Sequence, residues 1–309
     1  MKNSKHFFLL FIILICIQIS QAALSEPYGE IAEEHLMILS DTIGARFPGS
    51  EEEKIAADYI TTQAEEMGYA PVIQSFTYFD EDDKEHGSQN IIIEKKGSSS
   101  KQIIIGAHYD SMDEGSGADD NGSGVAVLLE LAQRISEMNT SYSITFVAFG
   151  AEEHDLAGSW YYVNELNMKD RNSIIGFINL DGFIAGNILY LYGDSGSTLY
   201  DFAENVPGNE EFTFLSTDYL IEEDGSPCYC GDFSPFQDSG IPILFIEATD
   251  YTQGEEDGWT QVDMKYGDEG IIRHTMYDNL QYINTTFPGR IKERLSVVTH
   301  FISNLLNIS

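Results

Sequence analysis

Residues 102–153 hold the three segments that decide the fold: QIIIGAH (102–108), GSGVAVLLELAQRIS (122–136) and SITFVAFG (143–150), the last running into Ala151-Glu152-Glu153. Two short apolar runs rich in Ile, Val and Phe flank a longer apolar stretch opened by a Gly-Ser-Gly turn. That order reads as strand, helix, strand. Strands apolar at nearly every position are buried on both faces, so they belong to a largely parallel sheet with helices on either side.

The alternation continues downstream with a helix over AGSWYYVNELN (157–167), strands SIIGFINLD (173–181) and ILYLYGD (188–194), a helix near 196–205, and strand IPILFIEA (241–248). The end, PGRIKERLSVVTHFISNLL (288–306), is an amphipathic helix with Ile291, Leu295, Val298, Ile302 and Leu305 at helical spacing. Upstream, Glu30 to Met67 is helical with a break at Arg46–Ser50, where Ser50 resembles an N-cap and Glu53 completes a capping box. PVIQSFTYF (71–79) and NIIIEKK (90–96) read as strands joined by an exposed loop over the acidic tract Asp80–Glu85. The fold class expected is α/β: a three-layer αβα arrangement around a mixed, largely parallel central sheet, in a single domain over 23–309.

Lys2 and Lys5 precede an apolar run from Phe7 to Ile19, and Ser20-Gln21-Ala22 follows with small-x-small spacing. Residues 1–22 therefore read as a secretory signal peptide. The alternative, an uncleaved anchor, is opposed by the shortness of the run against a span of about 20 residues. No other long apolar stretch exists, so no membrane partner is expected after cleavage and the mature chain is placed outside the cytoplasm. Acidic residues outnumber basic ones 51 to 16, and the formal charge of −35 repels phosphate backbones and excludes nucleic acid as a partner. Cys228 and Cys230 are the only cysteines after cleavage; free thiols and a local disulfide are both open, with export favouring the disulfide.

His108, Asp120, Glu153 and Asp181 each fall just beyond an apolar strand or at a helix entrance, which gathers distant residues onto one rim of the sheet. Singly these signals are ordinary: adjacent glutamates decorate solvated helices, and Asp-Asp-Asn-Gly is usually a turn. Together they form an imidazole and carboxylate set suited to zinc, and an ion pair about 3.5–4 Å apart needs one carboxylate to bridge it.

Nearly the whole of 23–309 resembles the secreted co-catalytic di-zinc aminopeptidases, the group that includes aminopeptidase Y, aminopeptidase S and the glutamate carboxypeptidases. The resemblance runs through ARFPGSEEEKIAADYI, AHYDS, GADDNGSG, AFGAEEHDLAGSWYYV, INLDG, SPFQDSGIPIL and HTMYDNLQYI. It implies a zinc exopeptidase-like fold, peptide substrates and two zinc ions per chain. His108 and Asp181 would hold one ion, Glu153 and His274 the other, with Asp120 between them and Asp119 the alternative bridge. Glu152 would be the general base, taking a proton from water that zinc brings towards a pKa of about 7. Asp110, two residues beyond His108, would accept the second imidazole N–H and fix its tautomer.

Two places depart from the family pattern. Arg273 stands where relatives often carry Tyr; it would steady an oxyanion, bind a substrate carboxylate or pair with an acidic side chain. Gly231-Asp232-Phe233 stands where Ser-Asp-His is common, and Tyr229 and Phe233, with Cys228 and Phe236, are expected to line the pocket for the first side chain. An apolar preference follows. Aminopeptidase activity leads. A carboxypeptidase or dipeptidase on the same core is the nearest rival, followed by a glutaminyl cyclase and a noncatalytic binding homologue; oligomeric state is left open.

Overall fold

The computed structural model describes residues 26–80, 82–221 and 228–306; the expected signal peptide lies outside them. The chain opens with α1 (Glu30–Met37), a π-helical turn over Ile38–Ile43 and α2 (Glu51–Glu66), followed by the hairpin β1 (Val72–Phe79) and β2 (Glu85–Lys95). Next come β3 (Gln102–His108), α3 (Ser123–Ile135), β4 (Ser143–Phe149), α4 (Ala157–Glu165), the single turn α5 (Met168–Arg171) and β5 (Ile174–Leu180). The remainder is β6 (Ile188–Gly193), α6 (Thr198–Ala203), β7 (Thr213–Ser216), α7 (Phe233–Asp238), β8 (Ile243–Thr249), α8 (Leu280–Thr286) and α9 (Arg290–Leu306).

The eight strands among the described residues form one sheet in the order β1-β2-β4-β3-β5-β8-β6-β7. The central four, β4, β3, β5 and β8, are parallel, while β2 and β6 flank them antiparallel. The two-residue period of a strand divides the core. Ile103, Ile105 and Ala107 of β3 face the cluster beneath α1, α2, α3 and α9, whereas Ile104 faces the one holding Tyr162 of α4 and Phe236 of α7. Burying each isoleucine contributes on the order of 2 kcal/mol, so β3 sits at the centre because both its faces must be covered. The sequence pattern and the layers agree: helices on both faces of a mixed sheet.

Helix α3 is buried almost all round, as its apolar sequence requires. Its one buried acid, Glu130, accepts from the Gly29 and Ala32 amides at 3.0 and 2.7 Å and so caps α1, whose own N-cap, Gly29, offers no side chain. Arg134 donates to the same carboxylate at 2.7 Å. At α2 the expected capping box forms with a shift: Ser50 Oγ accepts from Glu53 N, but Glu53 Oε2 accepts from Gly49 N, one residue earlier.

The second strand is longer than its apolar run suggests. Tyr78 pairs with His86, so β2 starts at Glu85 instead of Asn90, and the acidic tract is the hairpin turn itself. There Asp80 Oδ1 accepts from the Asp82 and Lys84 amides. The short edge strand β7 had no signal of its own.

Connectivity fixes where chemistry can occur. From β3 the chain passes through α3 to β4 on one side, then through α4 to β5 on the other. This reversal leaves a crevice at the C-terminal ends of β3, β4 and β5.

Candidate metal centre

His108 is the last residue of β3, Asp181 follows β5 directly, and Glu152 and Glu153 lie in the turn after β4. Asp120 stands just ahead of α3. His274 arrives from the long segment between β8 and α8 with a φ of +58°, a left-handed conformation unusual for a side chain of its size. The fold thus brings six residues spread over 167 positions onto one rim.

Asp120 occupies the middle. Its Oδ1 is 3.1 Å from His108 Nε2 and its Oδ2 is 3.1 Å from His274 Nε2. His108 Nε2 also lies 3.4 Å from Asp181 Oδ1, and His274 Nε2 lies 3.1 Å from Glu153 Oε2. Two ligand groups result, sharing Asp120. Around a tetrahedral zinc with bonds of about 2.1 Å, neighbouring ligand atoms stand roughly 3.4 Å apart, so these spacings fit an ion in each group. Glu153 Oε1 is buried with no hydrogen-bond partner, as a free metal-ligating oxygen would be.

Asp119 belongs to the framework. Its Oδ1 accepts from the Ile184 and Ala185 amides at 2.7 and 2.9 Å, and its Oδ2 accepts from Gln261 Nε2 at 2.7 Å. With both oxygens engaged away from the imidazoles, Asp120 alone of the adjacent pair lies between them.

Electrostatics point to cations. Burial alone would lower the pKa of His108, but the Glu152 and Asp181 carboxylates outweigh it and raise it well above the ordinary value. Burial likewise opposes the charge on His274, yet hydrogen bonds to Asp120 and Glu153 push its pKa up to about 11. Burial would raise Asp120, but hydrogen bonds to His108 and His274 hold it well below its ordinary range. Glu152 is pushed well above its ordinary range by burial, with Asp232, Glu153 and Asp181 adding to the effect. So many carboxylates stay charged in one place only against positive charge, which the imidazole protons supply here and divalent ions would supply in their stead.

Glu152 stands beside the first group: its Oε2 is 3.8 Å from His108 Nε2, near enough to share an ion with His108 and Asp181, and its carboxylate is 11% exposed in a cleft of about 230 Å³. Leu156, Tyr229 and Trp259 stand on the walls of that cleft. A larger cleft of about 740 Å³ beside α1, with Glu30, Glu34 and His35 on its walls, has no convergent imidazole and carboxylate set among the described residues.

Three expectations are corrected or sharpened. Asp110 was to accept from His108 Nδ1 through its carboxylate; the hydrogen bond goes instead to its backbone oxygen at 3.2 Å, with Oδ1 at 3.7 Å. The carboxylate is engaged by the Glu152 and Glu153 amides, each at 3.0 Å, because an anion accepting two N–H groups outcompetes one imidazole. Phe233 does not line the cleft: it is fully buried with its ring 4.9 Å from that of Phe245, and Phe236 stacks on Phe177 at 3.8 Å. One turn of α7 carries both into the core. Tyr229 is exposed at the cleft, and Cys228 and Cys230 are joined by a disulfide.

Arg273 lies on the cleft wall, its Nη2 donating to Glu247 Oε2 at 3.0 Å and its guanidinium 5.5 Å from the Trp259 ring centre. Glu247 is itself held by Tyr192 at 2.7 Å. Of its three expected roles, pairing with an acid is the one present, and that acid is buried.

Residues without a sequence signal complete the site. Gln261 Oε1 accepts from the Ile272 and Arg273 amides at 3.0 and 2.7 Å, fixing the approach to His274. Arg46, fully buried, donates to the carbonyls of Leu39, Gly44, Tyr109, Ser116 and Gly117 and so ties the loops that follow β3 to the π-helical turn after α1. ARFPGS contained Arg46 as part of a quoted motif, without a role.

The family model described as peptidase family M28 matches residues 90–299. The alkaline phosphatase isozyme conversion protein of Escherichia coli (strain K12) is 28% identical, over 91% of this chain and 90% of that protein. Leupeptin-inactivating enzyme 1 of Streptomyces exfoliatus is 30% identical over 81% of this chain, which spans only 55% of that relative. Among solved structures, an aminopeptidase from Aneurinibacillus sp. strain AM-1 superposes with a TM-score of 0.71 at 18% identity, covering 91% of this chain and 94% of its own. A glutaminyl cyclase of Porphyromonas gingivalis reaches 0.66 at 21% identity over 91% and 98%. Both structural likenesses speak for the fold.

Proposed function

The chain belongs to peptidase family M28, and from that membership we propose that it is a secreted aminopeptidase that removes N-terminal residues from peptides with two zinc ions per chain. One observation carries the reading: Asp120 divides its two oxygens between His108 and His274, each of which meets a further carboxylate. His108, Asp120 and Asp181 would hold one ion, and His274, Asp120 and Glu153 the other. Bound zinc supplies Lewis acidity and lowers the pKa of water it binds towards about 7.

Glu152 does the proton work. Buried at the cleft with its Oε2 3.8 Å from His108 Nε2, its carboxylate would take a proton from the attacking water and deliver it to the departing amine. The hydrogen bonds that the Glu152 and Glu153 backbone amides donate to Asp110 fix the turn that holds the Glu152 carboxylate at the cleft.

Charge favours the amino end of a peptide over the carboxyl end. The cleft lining carries Asp155, the whole chain carries −35, and Arg273, which also lines the cleft, is already paired with Glu247. A carboxypeptidase would need that guanidinium free. For the glutaminyl cyclase alternative, a reaction on one zinc leaves the His108 and Asp181 group without purpose. Tyr229, Trp259 and Leu156 give the walls an apolar character, so the first side chain preferred is apolar.

Leucine release from an unblocked peptide is the test, run after chelation and again after zinc is restored. Activity should vanish and return, N-acetylation should abolish it, and C-terminal amidation should leave it intact. Loss on amidation instead would replace this reading with the carboxypeptidase one.

A further inference from the structure

Three of the turns that bring proposed metal ligands to the rim have backbone amides held by a buried carboxylate from another such turn. Asp110, from the His108 segment, accepts from the Glu152 and Glu153 amides. Asp119, from the Asp120 segment, accepts from the Ile184 and Ala185 amides just past Asp181. The third member is Asp278, four residues after His274 and 1% exposed. Its Oδ1 accepts from Asp119 N at 2.6 Å and its Oδ2 from Asp120 N at 3.1 Å.

Asp278 differs from the other two because it accepts from the amide of the bridging aspartate itself. The turn from His274 to Asp278 is closed by Asp278 N donating to Thr275 O at 3.0 Å, and the Asp278 carbonyl accepts from Ser116 N at 2.7 Å. Gly115 packs so tightly against this turn that a Cβ there would lie 2.5 Å from Thr275 O. The carboxylate is therefore a rigid strut: one end is fixed to the His274 turn, and the other fixes the amide of the bridging aspartate.

We propose that Asp278 is a positioning residue that sets Asp120 against His274 and thereby the affinity of the ion held by His274, Asp120 and Glu153. The inference rests on the di-zinc reading of the site. The change that isolates it is Asp278→Asn, which keeps shape and volume but replaces one acceptor oxygen by an NH2 group. Donor then faces donor, and either the Asp119 or the Asp120 amide is left buried without an acceptor. Losing such support behind a ligand typically weakens metal binding by 10–100-fold.

Zinc is titrated by calorimetry into the metal-free full chain and into Asp278→Asn. Two ions per wild-type chain are expected; a wild type that binds fewer removes the di-zinc reading itself. In the variant one of the two ions should bind at least about 10-fold more weakly, and the visible absorption of the cobalt-loaded form should change. Melting curves exclude a general loss of stability. A positioning role shrinks the rise in Tm on adding zinc, whereas a purely structural role lowers metal-free and loaded forms in parallel. Should Asp278→Asn fail to fold, Asp278→Ser, whose hydroxyl keeps one acceptor, is measured the same way. Two ions at wild-type affinity with an unchanged cobalt spectrum, or a parallel fall in Tm, overturn the proposal.

Discussion

Removing the Arg273 guanidinium separates its structural contribution from any contact with substrate. In Arg273→Ala the Glu247 carboxylate, 9% exposed, keeps only the Tyr192 hydroxyl, and an unpaired buried charge remains. Breaking a buried pair from one side costs about 3–5 kcal/mol, which for a domain of this size lowers Tm by roughly 6–15 °C. Removing both charges relieves the penalty, so Arg273→Met with Glu247→Gln should regain most of the loss and give a coupling energy of about 2 kcal/mol. The assay is urea unfolding of the metal-free proteins at pH 7.5, which keeps zinc binding out of the comparison. An unfolding free energy of Arg273→Ala within about 1 kcal/mol of wild type is what an exposed ion pair gives. That result would refute the assignment of Arg273 to a buried pair and return it to the substrate, where a raised KM for peptides with a free carboxylate would locate it.

Three further outcomes follow from the geometry. Glu152→Gln should retain two zinc ions per chain by metal analysis while kcat falls by roughly 10²–10⁴; a fully loaded variant with near-normal turnover removes the proton-transfer role. His35, buried and hydrogen-bonded to Tyr59, is lowered by burial from 6.5 to about 4. A depressed histidine contributes stability that is fully present above pH 6.5 and lost as pH falls through 4, about 3 kcal/mol in all; His35→Gln should flatten that part of the unfolding profile, and an unchanged profile counts against it. Tyr229→Ala should raise KM for an apolar aminoacyl substrate with little change in stability, whereas Phe233→Ala should cost about 3–5 kcal/mol of folding free energy. The reverse pattern in kinetics and melting would return Phe233 to the cleft wall.

What was legible in the sequence is what short-range pattern encodes. The apolar runs at 102–108 and 143–149 must be buried on both faces, which places β3 and β4 in the middle of a parallel sheet, and strand ends then mark His108, Asp181 and the Glu152-Glu153 turn. His274 follows no such rule. It sits in a stretch without periodicity and was found only through the HTMYDN resemblance. The choice of Asp120 over Asp119 also came from resemblance, since spacing along the chain treats the two alike. What separates them is remote: Gln261 and the amides after Asp181 take up Asp119, and only the folded chain brings those donors near.

The carboxylates that hold the ligands in place were hidden for the same reason. Asp278 lies inside a quoted motif, yet its partners are 158 and 159 residues away, and nothing in composition or period marks an aspartate that accepts two backbone amides. Phe233 misled in the opposite direction, because its neighbours in sequence flank the cleft while the first turn of α7 carries its ring inward. In this fold three of the proposed ligands, His108, Glu153 and Asp181, follow strand ends, which pattern can find, and their aim belongs to buried anions gripping the backbone of loops, which pattern cannot. A scaffold that transplanted His108, Asp120, Glu153, Asp181 and His274 without Asp110, Asp119 and Asp278 should carry the right atoms on turns free to move. A displacement of about 1 Å at the reacting groups costs about 10²-fold in rate, so such a graft should bind zinc weakly and turn over slowly even with every ligand present.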